Sequence, residues 1–301
     1  MEKSSTTEIQ KRRIPMRKIL FVINPAAGKG KGLKAIPKIR QRFEKFDYEI
    51  IISKEVNGIT ALVQEELHKN YTDVIAVGGD GTLGEVINGI IGKDIKVGAI
   101  PLGSGNDFIK TLGLSEDFET RLTAIEKGRT EELYVPSVNE HYFINVLGWG
   151  VDAEIIKEKN KNIIREGKLN YLFSTLKMLW IYQPKEATVY IDDKKFTKEV
   201  YLVAVGNGQF IGNGMKVCPG GNPREKAFEI CVVEKMPLRT LLRHFPKIFK
   251  GTHGTVQGIH LLKGHSIRVR FPEKTVIQED GTLRQATEIL LKKEKKIEMI
   301  I

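Results

Sequence analysis

Cysteine is nearly missing from the 301 residues: Cys218 and Cys231 are the only two. Two thiols cannot build the disulfide framework of a small secreted domain, and nothing near them has metal-ligand spacing. Both lie in apolar surroundings and are expected to fill core space in a reducing compartment. Long hydrophobic runs are missing too. No stretch approaches the roughly 18 apolar residues that a membrane span needs. The first apolar run, Ile19–Ile23, follows a charged segment but is too short for the core of a secretion signal, and it reads as a strand. A cytoplasmic protein is expected, with any membrane contact peripheral. Histidine is sparse. His68, His141, His244, His253, His260 and His265 show no H-E-x-x-H spacing, and none is expected to be catalytic or to bind metal. The two tryptophans, Trp149 and Trp180, are both expected in the core.

What is present is an ordinary globular composition, with 41% hydrophobic and 28% charged residues, which excludes a disordered or fibrous chain. At roughly 150 residues per domain, the length suggests about two domains. Lys and Arg number 48 against 37 Asp and Glu, a net charge of +11. Such an excess favours nucleic acid, acidic lipid or phosphorylated substrates, and it is equally compatible with a solvated basic surface that has no partner.

Residues 1–15 are polar and read as a tail. From residue 18, apolar runs alternate with segments of helical period. Ile19–Ile23, Tyr48–Ile52, Asp73–Val77 and Ile95–Ile100 read as strands, and Leu33–Phe46, Ile59–His68 and Leu83–Ile91 as helices. Strand, helix, strand, helix at these lengths means a parallel sheet with crossover helices. After about 135, short strands separated by turn signals predict an antiparallel, β-rich half: Tyr142–Leu147, Ala187–Ile191, Glu199–Val205, Phe228–Glu234, Ile259–Leu262, Ser266–Phe271 and Lys274–Gln278. Two helical segments, Lys168–Tyr182 and Pro237–Lys250, interrupt it.

Three glycine-rich turns each follow a strand of the first half: Asn24-Pro25-Ala26-Ala27-Gly28-Lys29-Gly30, Gly78-Gly79-Asp80-Gly81-Thr82, and Pro101-Leu102-Gly103-Ser104-Gly105-Asn106-Asp107. In an open parallel sheet, ligands bind outside the carboxyl ends of the strands, where these turns must lie. Glycine lets the backbone approach a phosphate, and exposed N–H groups bind it. One such turn is often just a tight connection, but three on one sheet edge point to a phosphate-bearing ligand. Neither the Walker A pattern nor the G-x-G-x-x-G fingerprint is present, which argues against a P-loop NTPase and an ordinary dehydrogenase. Asp80 is the only acid in the first two turns.

These turns, in this order and spacing, resemble the diacylglycerol kinase catalytic family of bacterial lipid kinases, related to sphingosine and ceramide kinases. The Gly-Gly-Asp-Gly-Thr turn is shared with NAD kinases and phosphofructokinases, and the third turn followed by Phe108 narrows the match to lipid kinases. The resemblance continues through Gly148-Trp149-Gly150-Val151-Asp152-Ala153-Glu154 and through Asn207–Lys216, from about Lys18 to Ile301. It implies an α/β protein of two domains. A Rossmann-like three-layer α/β domain of the NAD kinase and lipid kinase type spans 17–135, with 286–301 returning to it, and a β-sandwich lipid-substrate domain spans 136–285.

The resemblance further implies ATP as phosphoryl donor, Mg²⁺ between its phosphates, and the hydroxyl of diacylglycerol or a related lipid as acceptor. Carried over residue by residue, the nucleotide contacts are Asn24, Pro25, Ala26, Ala27, Gly28, Ser53, Gly78, Gly79, Asp80, Gly81, Thr82, Leu83, Gly84 and Ser104. Asp80 and Asp280 are the catalytic carboxylates it implies. Read on its own, Asp280-Gly281 between two strands is a good hairpin turn with no chemistry.

Two positions depart from the family. Thr282 stands where these kinases usually have Glu, and a threonine hydroxyl is no general base at neutral pH. Asp280, Asp80 or Glu279 then takes the proton, or activity is reduced or lost. In Pro219–Glu229 an Asp-Gly pair that binds a structural Mg²⁺ is replaced by Glu225-Lys226, so no protein-bound metal site is expected there.

Residues 235–250 place apolar side chains at helical spacing beside Lys235, Arg239, Arg243, Lys247 and Lys250. The segment reads either as a helix lying on an anionic membrane or as a solvated surface helix over the second core. Lys11-Arg12-Arg13 and Arg17-Lys18 would add to lipid attraction. No nucleic-acid module is present, and none is expected as partner. A homodimer stays open. The alternatives to a lipid kinase are a non-catalytic lipid- or nucleotide-binding relative and an NAD kinase-like enzyme.

Overall fold

The structure, a computed structural model, describes residues 17–55, 57–139, 141–160 and 168–301. Its first half runs β1 (Lys18–Ile23), α1 (Lys31–Arg42), β2 (Asp47–Ile52), α2 (Ile59–Glu66), β3 (Asp73–Gly78), α3 (Asp80–Ile90), β4 (Lys96–Pro101), α4 (Asp107–Leu112) and α5 (Phe118–Lys127). The four strands pair in parallel in the order β2-β1-β3-β4. The central strand β1 is apolar from Ile19 to Ile23 because both its faces are covered. Leu20 and Val22 join Val63 of α2 and Val86 of α3 on one face. Ile19, Phe21 and Ile23 join Ile39 of α1 and Ile125 of α5 on the other. Alternation along the strand thus sorts its residues into two cores and produces three layers.

The second half contains β5 (Thr130–Val138), β6 (His141–Tyr142), β7 (Val146–Gly150), α6 (Val151–Asn160), α7 (Lys168–Ile181), β8 (Lys185–Ile191), β9 (Lys194–Gly206), β10 (Phe228–Glu234), α8 (Leu238–His244), α9 (Lys247–Lys250), β11 (Ile259–Gly264), β12 (Ile267–Glu279) and β13 (Thr282–Ile300). Its strands pair antiparallel with one another. Leu147, Trp149, Val203, Phe228 and Ile277 fill the β-sandwich interior, and Ile155, Leu179 and Leu241 of α6, α7 and α8 cover the other face of β9 and β10. The long β13 ends parallel to β4, with Glu298 opposite Lys96 and Met299 opposite Val97. One hydrogen-bonded sheet therefore runs through both halves. No helix among the described residues is long and apolar enough to cross a membrane.

Several elements differ from expectation. The segment 237–250 divides into α8 and α9 around Pro246, which has no N–H to continue a helix. Ser266–Phe271 and Lys274–Gln278 merge into β12, with a register shift between Arg270 and Thr275. The six-residue α4 is too short to show a period, and β13 is rich in Lys and Glu, a composition depleted in strands. Trp149 is buried, but Trp180 is 68% exposed, which overturns its placement in the core. Leu179 turns inward from α7 and its chain neighbour Trp180 turns outward, beside exposed Ile181 and Phe173. Cys218 and Cys231 are both buried, and burial pushes both thiols up. Lys11-Arg12-Arg13 lies outside the described residues. Arg17 and Lys18 are engaged with Asp73 at 2.9 Å and Glu49 at 3.4 Å.

Candidate active site

The ends of β1, β3 and β4 bring the three glycine turns into one surface. The Asn24 amide donates to the Val77 carbonyl at 3.1 Å, and the Leu102 amide donates to that of Gly78 at 2.7 Å. Gly28 has φ +57°, and a side chain there would strike the Leu102 carbonyl. A Cβ on Gly103 would stand 2.7 Å from the Gly79 Cα. Backbone therefore lies directly on backbone. The Asn24 side chain locks the first two turns, donating from Nδ2 to Thr82 Oγ1 and accepting from the Ala26 amide, both at 3.0 Å. Asp80, the first residue of α3, accepts from the amides of Asp107 at 2.8 Å and Phe108 at 3.1 Å, which ties the second turn to α4.

The opposite wall comes from the second half. Asp280 and Gly281 form the turn between β12 and β13, with φ +48° and +89°. The Asp280 carboxylate also accepts from the amides of Ile144 at 2.6 Å, Asn145 at 3.1 Å and Val146 at 2.9 Å. The hairpin turn and the buried carboxylate are the same feature. Asp107 Oδ2 accepts from the Asn213 amide at 2.8 Å, joining α4 to the loop after β9.

Between these walls lies a cleft of about 460 Å³. Of the residues named from sequence, Asn24, Ala26, Ala27, Gly28, Gly79, Asp80, Gly81, Thr82, Ser104 and Asp280 line it. Pro25, Gly78, Leu83 and Gly84 belong to the same turns without lining the cleft. Leu83 is in the core beneath it, and Gly78 leaves room for the Thr82 side chain. Ser53 stands apart, buried, its hydroxyl donating to the Glu55 carbonyl at 2.8 Å. The wall also includes Asp107, Asn145, Asp152, Asn213 and Gln278, which the residue-by-residue reading left out. Asp107 and Asp152 stand in motifs visible in the sequence, but their orientation depends on contacts across the cleft.

Burial dominates the electrostatics. It pushes Asp80 up to about 6 against two amide hydrogen bonds that lower it, and neighbouring Asp107 and Asp280 push the same way as burial. Asp280 is pushed up to about 6 and Asp152 to about 7, both by burial. Gln278 Nε2 donates to Asp152 at 3.2 Å and offsets part of that. Four carboxylates line the cleft with no Lys or Arg among its lining residues. Among the described residues no three His, Cys, Asp or Glu converge closely enough to hold an ion.

At the two departures, Thr282 is exposed and outside the cleft lining. Glu279 is buried and accepts from Arg284 Nε at 2.8 Å, so it too lies outside the cleft lining. Lys226 is exposed. A second, apolar cavity of about 70 Å³ opens between α7, α8 and the sandwich, lined by Leu179, Leu241, Phe245 and Ile248, and it shares Asp152 and Ile211 with the cleft.

Residues 18–138 match the family described as "Diacylglycerol kinase catalytic domain", and residues 145–291 match the "YegS C-terminal NAD kinase beta sandwich-like domain". The chain is 28% identical over 274 residues to the diacylglycerol kinase of Bacillus subtilis, across 88% of this chain and 90% of that protein. It is 30% identical over 274 residues to the diacylglycerol kinase of Staphylococcus saprophyticus, across 88% and 89%. The fold resembles that of a diacylglycerol kinase from Bacillus anthracis with a TM-score of 0.73 at 22% identity, covering 95% of this chain and 96% of that one. With both halves matched in order, the chain belongs to the diacylglycerol kinase family.

Proposed function

We propose that the protein transfers the γ-phosphoryl group of ATP to the hydroxyl of diacylglycerol or a related lipid alcohol. One observation carries the reading: a polar cleft edged by three glycine turns shares the walls Asp152 and Ile211 with an apolar cavity. A nucleotide and a lipid headgroup would meet where the two spaces join. The nucleotide phosphates lie along the turn amides of Asn24–Gly28, Gly78–Gly84 and Ser104 at the start of α3.

Phosphates beside four carboxylates and no lining Lys or Arg call for a divalent cation. Because no three acids converge on one point among the described residues, Mg²⁺ would be held chiefly by the phosphates themselves, as that ion prefers, with Asp80 and Asp107 the acids beside it. When bound, it would neutralise charge on the transferring group. Asp80 accepts the proton of the attacking hydroxyl. Each of its oxygens takes one amide hydrogen bond, which leaves lone pairs available. Asp280 is already committed to three amides and fixes the opposite wall. Gln278 and the Asn145 segment hold their positions through the same turn.

The lipid tails would enter from the side of α7 and α8. There Phe173, Trp180, Ile181 and Phe249 are exposed, and residues 235–250 carry five basic residues and no Asp or Glu. This surface suits an anionic membrane with its apolar side chains inserted. The apolar cavity favours a lipid over NAD as acceptor. The test is purified protein with Mg-ATP and a panel of lipid alcohols in mixed micelles, with NAD assayed in parallel. Label on a lipid supports the proposal. Label on NAD alone, or on nothing, overturns it and leaves an NAD kinase-like enzyme or a non-catalytic relative.

A further inference from the structure

Lys293 is the only buried lysine among the described residues, 1% exposed in a strand otherwise studded with solvated charges. It sits where the pairing of β13 with β5 shifts register between Lys292 and Lys295, a bulge that takes its side chain out of the regular alternation. The ammonium donates to three backbone carbonyls of one turn: Ala227 at 2.8 Å, Glu225 at 3.0 Å and Asn222 at 3.4 Å. The Phe228 ring lies 5.0 Å beneath it. The nearest acid, Glu225, is half exposed and engaged with Asn222 at 2.8 Å and Lys263 at 3.4 Å. The buried charge is thus solvated by carbonyl dipoles and a π-face, the way a bound cation is.

We infer that the 222–227 turn is a cation site whose resident cation is the ammonium of Lys293. Oxygen distances of 2.8–3.4 Å suit an ammonium or a large monovalent ion, whereas Mg²⁺ requires oxygens at about 2.0–2.1 Å. The ammonium, rather than exposed Lys226, is what fills the turn. Burial and the charge of Lys263 push the ammonium down, to about 7, while Glu225 acts in the opposite sense.

The turn so held ties β5 to the loop after β9, and Arg224 reaches α4 of the first half by donating to the Leu112 carbonyl at 3.4 Å. The Pro223 carbonyl accepts from the Tyr134 amide at 2.8 Å, and Arg224 pairs with Glu131 at 2.7 Å. At its other end Gly221 sits against the Gly208 carbonyl, and the amides of Asn207 and Gly208 both donate to the Asn145 carbonyl at 2.8 Å. Asn145 lines the cleft. Without the ammonium, the Glu225 and Ala227 carbonyls lose this donor, the Asn222 carbonyl keeps only the Glu225 amide at 3.1 Å, and the cleft wall loses a support.

The test is thermal unfolding of Lys293→Ala and Lys293→Met in the presence of methylammonium, K⁺ or Mg²⁺, with choline as an ionic-strength control. Both variants should unfold roughly 5 °C or more below wild type. Methylammonium or K⁺ should restore at least half of that loss in the Ala variant. Choline and Mg²⁺ should not, and the Met variant, whose side chain fills the space, should respond to none of them. A Met variant as stable as wild type, or an Ala variant that responds equally to choline, overturns the inference. Should the variants fail to fold, nitrogen-15 lysine NMR of the wild type at pH 6 decides it. One ammonium signal protected from solvent exchange supports the site, and its absence overturns it.

Discussion

The carboxylate of Asp80 accepts the amide hydrogen of Asp107 at 2.8 Å, so the second and third glycine turns move as one body. Asp107 in turn accepts from the Asn213 amide, which extends the connection across the cleft to the sandwich half. A single acid at the start of α3 therefore serves both as a wall of the cleft and as a tie between two crossovers.

Substituting Asp80→Asn tests the first of these roles. The proposed proton acceptor is lost, and turnover with Mg-ATP and a lipid alcohol should fall by about 10²–10⁴. The fold should persist. Loss of one amide hydrogen bond, about 1 kcal/mol, is offset by removal of a buried charge. A melting temperature within a few degrees of wild type, with unchanged turnover, would remove Asp80 from the chemistry.

The pH profile should report the same group. Asp80 is raised to about 6 by burial, so its proton-accepting form fills as pH rises from 5 to 7. On this basis kcat/KM should climb through that interval and level above it. The sign for stability is opposite. Between the ordinary carboxylate range and about 6 the folded state binds more protons than the unfolded state, so the contribution to stability diminishes as pH rises through 6. Rate and melting measurements on wild type and Asp80→Asn across pH 5–8 separate the two effects, and a flat kcat/KM profile would contradict the first.

At position 282 the hairpin register gives a specific expectation. Thr282 lies directly opposite Glu279, whose carboxylate is held by Arg284 outside the cleft. A Thr282→Glu substitution puts a second acid on that face, facing a like charge. Turnover should stay within about twofold of wild type, and stability should drop by roughly 0.2–1 kcal/mol in denaturant titration. A tenfold gain in turnover would mean that residue 282 reaches the reacting atoms.

The exposed face of α7 should matter for lipid surfaces and not for folding. Replacing Phe173 and Trp180 together by Ala removes two side chains that are each 68% exposed. Partitioning onto anionic phosphatidylglycerol vesicles in a sedimentation assay should fall tenfold or more, since each inserted aromatic contributes about 1.5–3 kcal/mol. The melting temperature should not change. Equal vesicle binding would move the membrane contact elsewhere on the surface.

How much was legible varied with the range of the forces involved. The apolar run of β1 and the helical spacing of α2 predicted local structure because each residue's burial follows from its own period. The glycine turns predicted the cleft because backbone contact tolerates no side chain at Gly28. Trp180 misled, since a large aromatic residue is core in most settings and nothing local says that α7 presents it outward. Asp107 and Asp152 were visible but unassigned, because a carboxylate's role depends on what faces it.

The strand–helix alternation up to β4, the two-half architecture and the glycine turns are thus already written in the chain, because periodicity and glycine placement act over a few residues. Distant partners set the rest. Asp280 is a turn residue in sequence and becomes a cleft carboxylate only when the amides of Ile144, Asn145 and Val146, at the entry to β7, converge on it. Lys293 is one lysine among many in β13 until a bulge turns it into a ring of carbonyls. Desolvation and hydrogen bonding between segments more than 60 residues apart have no local signature, and here they decide which charges are buried and what those charges hold.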